Sequence, residues 1–130
     1  MRQPVHCDMI HEHLDCPFAM TINIPFVDTS VDNGATEFWL GTHLRGNRGI
    51  KDPVLDGSWI ADEYVEKRRL ERPPIRPSIS KGSLVIRDMR LWHAGIANET
   101  QNPRIMLAMV VAQKSQINDS TTLQSGTETR

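Results

Sequence analysis

Cysteine is scarce in this chain. Cys7 and Cys16 are the only two in 130 residues. That is too few for the disulfide framework of a secreted scaffold, so reduced thiols are expected; the sequence neither requires nor excludes a bridge between them. An excess of either charge is missing as well. The 15 Lys and Arg stand against 16 Asp and Glu, a net charge of −1, which leaves no basic field to hold a phosphate backbone or an anionic membrane surface. Nucleic acid is not an expected partner. Apolar runs such as "IMLAMVVA" fall well short of the roughly 20 residues of a membrane span, and the first residues are polar rather than signal-like. These absences predict a soluble, cytoplasmic protein of one domain.

What is present reads as short strands and turns. "FAMTINIPFVD" (Phe18 to Asp28) alternates large apolar with smaller residues around Ile22 and Ile24 and stops at Pro25, as a strand does. Asp32-Asn33-Gly34 is a turn signal, and "TEFWLGTH" resumes a β-like run until Gly41, which predicts two strands around a tight turn. From Leu44 to Pro77 a polar, Gly- and Pro-punctuated excursion holds one helical stretch, "WIADEYVEKRRLE". Lys81-Gly82 turns into a strand through Leu84, Val85 and Ile86, a second short strand runs near Leu91 to His93, and "NPRIMLAMVVAQ" is the last. Residues 1–113 are thus the expected core, and the Ser/Thr-rich 114–130 a disordered tail. The fold class is mainly β and antiparallel, a sandwich or a jelly roll.

The chemistry concentrates in "QPVHCDMIHEHLD". On a strand, residues i and i+2 share a face, so His6 and Asp8 can aim an imidazole and a carboxylate at one point, while Cys7 turns away to pack. A metal held by this pair needs a third ligand from elsewhere. Two histidines and one carboxylate on one face of an octahedron suit non-haem Fe(II). His11, His13, His43 and His93 could each complete the set. His93 follows a strand-like "RLW", precedes the small Ala94-Gly95, and lies eleven residues before Arg104, a fork for a carboxylate; Arg104 could alternatively pair with Asp88. Zinc on "HEH" with His6 competes, but a Cys/His or HExxH spacing is missing. His43 is expected to hydrogen-bond its turn. Trp39 and Trp92, on strands near the proposed site, are candidates to line a substrate pocket or to fill the core.

"VHCD", "DNGATEFWLGTH", "KGSLVIRDMRLWHAG" and "NPRIMLAMV" together resemble the phytanoyl-CoA dioxygenase family of Fe(II)/2-oxoglutarate oxygenases, in particular its fungal specialised-metabolism members, over Gln3 to Ala112. The resemblance implies a double-stranded β-helix (jelly roll), incomplete relative to the family. It implies that His6, Asp8 and His93 ligate iron, that Arg104 pairs with the distal carboxylate of 2-oxoglutarate, and that Gln3 and Thr36 add contacts to this cosubstrate. With O2 as second cosubstrate, it implies hydroxylation or cyclisation of a small organic molecule in fungal secondary metabolism, an alkaloid being one such substrate. Family members are longer, with their iron-binding pair nearer the middle of the chain. A barrel without its first strand would expose an edge, so a homodimer or association with a longer relative is expected, and a ligand near the terminus would be held loosely. The alternative is an inactive relative that binds metal or a full-length partner.

Overall fold

The computed structural model describes residues 1–9, 19–44 and 59–112. Its elements are β1 (Ala19–Pro25), β2 (Glu37–Phe38), α1 (Asp62–Glu71), β3 (Val85–Asp88), β4 (His93–Ala94) and β5 (Met106–Ala112). The expected tail and the histidines His11 and His13 lie outside the described residues.

The strands form two antiparallel layers. In the first, β1 is central between β3 and β5, with Thr21 opposite Arg87 on one side and Val110 on the other. The second pairs β2 with β4 and is widened by single bridges, so that Trp59, His6, His93, Phe38 and Ile75 follow one another across it. This is a jelly-roll arrangement, mainly β with one helix among the described residues. The expected hairpin of β1 and β2 does not form, because β2 belongs to the other layer. The Val31–Gly34 turn carries the chain between layers instead. Gly34 has φ +83°, and a Cβ there would lie 2.6 Å from the Ile96 carbonyl oxygen, so only glycine fits the crossing.

Burial alternates along β1, with Ala19, Thr21, Asn23 and Pro25 buried and the residues between half-buried. The middle of the inward face therefore carries a hydroxyl and an amide, between Ala19 and Pro25, as suits the lining of a polar site. The apolar core lies elsewhere. Val5, Cys7, Trp39, Ile60, Val65, Trp92 and Ala94 form one cluster, joined through Val65, the buried residue of α1. Alternation does this locally, since Val5 and Cys7 flank His6, and Trp92 and Ala94 flank His93. One face of the second layer is thus oil and the other is chemistry.

The helix starts after Ala61 without a side-chain cap, but Asp62 and Glu63 lie in its first turn and Arg68 and Arg69 in its last, the signs that the helix dipole favours. Arg68 Nη2 donates to the Leu40 carbonyl at 2.7 Å, and the Arg69 guanidinium sits 4.8 Å above the Trp39 ring. No described helix is long and apolar enough to cross a membrane.

Candidate metal centre

His6 and His93 face each other across the second layer. Each donates its backbone N–H to the other's carbonyl, at 2.9 and 2.8 Å, which brings the ring centroids to 4.2 Å. Asp8, one pleat further on, donates its N–H to the Met89 carbonyl at 2.9 Å, just beyond β3, so the ligand segment bridges the two layers. Gln3 N donates to Gly95 O at 2.8 Å and Ile60 N to Val5 O at 2.9 Å, so the segment is hydrogen-bonded on both sides.

One ligand atom from each of His6, Asp8 and His93 lies within 4.8 Å of the others. His6 Nδ1 is 3.0 Å from the Pro4 carbonyl and His93 Nδ1 is 3.0 Å from the Leu91 carbonyl. A carbonyl only accepts, so we assign the proton of each ring to Nδ1, which turns the Nε2 lone pairs toward Asp8. Asp8 Oδ1 stands 3.3 Å from His93 Nε2 and 4.0 Å from His6 Nε2. Lone pairs so arranged repel unless a proton or a cation lies between them. Two imidazole nitrogens and one carboxylate oxygen converging from one side are the donor set of a facial Fe(II) site.

Electrostatics favour the ligating forms. Burial lowers the His6 pKa, and the neighbouring His93 lowers it further, so the ring is neutral at pH 7 and free to ligate. Burial alone would raise Asp8, but its contacts with His93 and with the Arg87 guanidinium outweigh it and hold the carboxyl well below its usual range. The other carboxylate oxygen, Oδ2, accepts from Arg87 Nη2 at 2.5 Å and from Thr21 Oγ1 at 3.3 Å.

The remaining expected residues distribute unevenly. Arg104 does not pair with Asp88, whose carboxylate is taken by Arg90 Nε and Nη2 at 2.9 and 2.5 Å. Its own Nε is buried without a partner among the described residues. It shares strand parity with Met106 and Ala108, which oppose Pro25 and Asn23, so it belongs to the inward face. A buried guanidinium N–H with nothing to donate to is what a carboxylate ligand would satisfy. Gln3 Oε1 accepts the Gly95 N–H at 3.0 Å, which leaves the side-chain NH2 to donate. Thr36 is half-buried; extending the Glu37–Ala94 register by one residue sets it level with Gly95, beside Gln3.

Trp39 and Trp92 sit in the apolar core cluster. They are 0% and 3% exposed, and a side chain bordering an open pocket would keep accessible surface. His43 does not bond its turn through Nδ1, which is buried without a partner among the described residues; Thr42 does that work, donating to Trp39 O at 2.8 Å and accepting from Trp92 N at 2.9 Å.

Three residues at the site escaped the sequence reading. Trp59 stacks edgewise on His6 with centroids 4.9 Å apart, and Thr21 and Arg87 hold Asp8. An arginine inside the apolar run "LVIRD" was the available signal for the last of these. Trp59 gave none, because only pairing across a long excursion brings it to His6.

A jelly roll with a two-histidine, one-carboxylate cluster at the meeting of its layers defines the class of fold and site. The chain belongs to the phytanoyl-CoA dioxygenase (PhyH) family, whose model matches residues 1–106. Among solved structures, EctD from S. alaskensis with 2-oxoglutarate and 5-hydroxyectoine superposes with a TM-score of 0.65 at 17% identity, over 84% of this chain and 37% of that one. AviO1 from Streptomyces viridochromogenes Tue57 gives 0.62 at 22%, over 88% and 44%. SnoK, a non-heme alpha ketoglutarate dependent carbocyclase from nogalamycin biosynthesis, gives 0.64 at 21%, over 85% and 42%. At these identities the likeness is one of fold, and this chain spans less than half the length of each.

Proposed function

We propose that this chain carries the metal and cosubstrate site of an Fe(II)- and 2-oxoglutarate-dependent oxygenase acting on a small organic substrate. The observation that carries the reading is the convergence of His6 Nε2, Asp8 Oδ1 and His93 Nε2, with both rings oriented by backbone carbonyls. Bound there, Fe(II) with 2-oxoglutarate and O2 would supply the oxidising power to break an unactivated C–H bond as the 2-oxo acid is decarboxylated to succinate.

The chain's own residues bind and orient. His6 and His93 present their Nε2 atoms, and Asp8 supplies the single negative charge. Arg104 takes the distal carboxylate of the 2-oxo acid with its unpaired Nε–H, and the Gln3 amide and Thr36 hydroxyl add donors near Gly95. Trp59 shields His6 and keeps water from that side.

Hydroxylation and ring closure are the two outcomes we assign, supported by structural neighbours of which one holds 5-hydroxyectoine and another is a carbocyclase. The four sequence segments support a place in fungal secondary metabolism, with an alkaloid as one substrate class, and a cytoplasmic setting. Anaerobic addition of Fe(II) and 2-oxoglutarate, singly and together, tests the reading. A visible metal-to-ligand charge-transfer band confined to the ternary mixture, and lost in His6→Ala and Arg104→Ala, is expected; its absence in folded protein would sink the proposal.

One observation favours a second reading. Most of β5 is solvent-exposed, with neighbours of opposite parity such as Met109, Val110 and Val111 at 39%, 47% and 55%, so the described residues leave the middle of the strand open on both faces. A homodimer, or a chain that works only with a longer relative completing the barrel, accounts for this. Light scattering of the purified chain distinguishes a dimer from a monomer that needs another protein.

A further inference from the structure

The metal-centre reading uses Asp8 Oδ1 and leaves Arg87 unexplained. Arg87 lies on β3 directly opposite Thr21 of β1, and both side chains converge on Asp8 Oδ2, at 2.5 and 3.3 Å. The arginine side chain is 9% exposed, and its Nη1 is buried without a partner among the described residues. A guanidinium this buried is costly unless something fixes it there, and among the described residues that group is the carboxylate that also faces two histidines.

The arrangement divides the labour of the carboxylate. Its lone pairs on Oδ2 are occupied by a charge-assisted hydrogen bond and a hydroxyl, while Oδ1 remains directed at the two Nε2 atoms. A carboxylate free to turn about its last torsion can ligate through one oxygen or through both. Ligation through both would take a coordination position that the 2-oxo acid and O2 need, since an octahedral ion held by three protein atoms has only three left.

We propose that Arg87 is a positioning residue that restricts Asp8 to one-oxygen coordination and so keeps a third exchangeable position on the metal. The proposal rests on the metal-centre reading above and deepens it. Because the guanidinium is positively charged, it also cancels the Asp8 charge locally, so a bound divalent ion keeps its attraction for a dianionic 2-oxo acid.

The test uses Mn(II) and the full chain, without turnover. Coordinated water is counted by electron spin-echo measurements in 2H2O on the wild type, Arg87→Met and Arg87→Lys, with circular dichroism confirming that each is folded. Arg87→Met is expected to lose one bound water as Asp8 Oδ2 swings onto the metal, and Arg87→Lys, which keeps a charged donor at Oδ2, to recover it. An unchanged water count in folded, Mn(II)-loaded Arg87→Met overturns the role of Arg87 and leaves the metal centre standing. Failure of the wild type to bind Mn(II) removes the metal centre, and this proposal with it.

A measurement that needs no Arg87 variant covers the case in which Arg87→Met does not fold. In the infrared difference spectrum of 13C-aspartate-labelled protein with and without Mn(II), one-oxygen ligation widens the gap between asymmetric and symmetric carboxylate stretches. Two-oxygen ligation narrows it. A widened gap is expected for the band that disappears in Asp8→Ala, and a narrowed one overturns the proposal.

Discussion

Gln3 and Gly95 fit together only because one of them has no side chain. Gln3 Oε1 accepts the Gly95 N–H at 3.0 Å, and a Cβ on residue 95 would lie 2.5 Å from that same oxygen. Gly95→Ala should therefore expel the Gln3 side chain and cost about 1–3 kcal/mol, in the range of overpacking substitutions. The clash has a single named partner, so Gly95→Ala should be much milder in a Gln3→Ala background. Chemical denaturation of the four proteins of this double-mutant cycle checks it; equal costs in both backgrounds would refute the contact.

Removing Arg104 should separate stability from binding. Its buried Nε has no partner among the described residues, so Arg104→Met should leave the fold as stable or raise stability by about 1–3 kcal/mol, the cost of an unsatisfied buried donor. The same change should abolish 2-oxoglutarate binding while Mn(II) still binds. Calorimetric titration with each ligand reads both. A parallel loss of the two would give Arg104 a folding role instead.

Metal should stabilise the chain through three residues. At a free Mn(II) concentration of 100 times Kd, linkage gives about 2.7 kcal/mol of added stability. A rise in Tm on adding Mn(II), reversed by a chelator and missing in His93→Ala, is the expected result. If His93→Ala still shows the rise, His93 is not a ligand.

Trp39 and Trp59 should answer differently to truncation. Trp39 is fully buried among core residues, so Trp39→Ala should cost about 3–5 kcal/mol. Trp59 is half-buried against His6, so Trp59→Ala should perturb metal and cosubstrate binding more than Tm. Melting curves beside metal titrations separate the two roles.

Acid should weaken the fold partly through Asp88. Burial would raise its pKa, but the hydrogen bonds and charge of Arg90 prevail and hold it below the ordinary 3.8. A carboxylate depressed in the folded state contributes stability that is present above its unfolded-state value and is lost as pH falls through the folded one. Asp88→Asn should lower stability at pH 7 and flatten its decline below about pH 4. Urea midpoints across that range give the comparison.

The two layers were legible in part. β1 and β5 announce themselves by apolar content and bounding turns, and α1 by its charges and the Pro73-Pro74 stop that follows. β2 was read too long, as "TEFWLGTH" against an observed Glu37–Phe38, because Trp39 turns into the core and Thr42 closes a turn on its carbonyl. Its partner was misread for a different reason. A turn signal such as Asp32-Asn33-Gly34 says that the chain reverses but not which strand it then meets.

What the sequence determined by itself was local. Spacing i, i+2 places His6 and Asp8 on one face and Cys7 on the other, because a strand repeats every two residues whatever surrounds it. The third candidate ligand, by contrast, required the tertiary structure: four histidines could have completed the pair, and the antiparallel bridge between His6 and His93 brings His93 to it, while His11 and His13 lie outside the described residues. The same pairing buries Trp39 and Trp92, brings Trp59 to His6 and closes Arg87 and Thr21 on Asp8. Register between distant strands is set by the summed hydrogen bonding and packing of whole layers, and no window of neighbouring residues contains that sum.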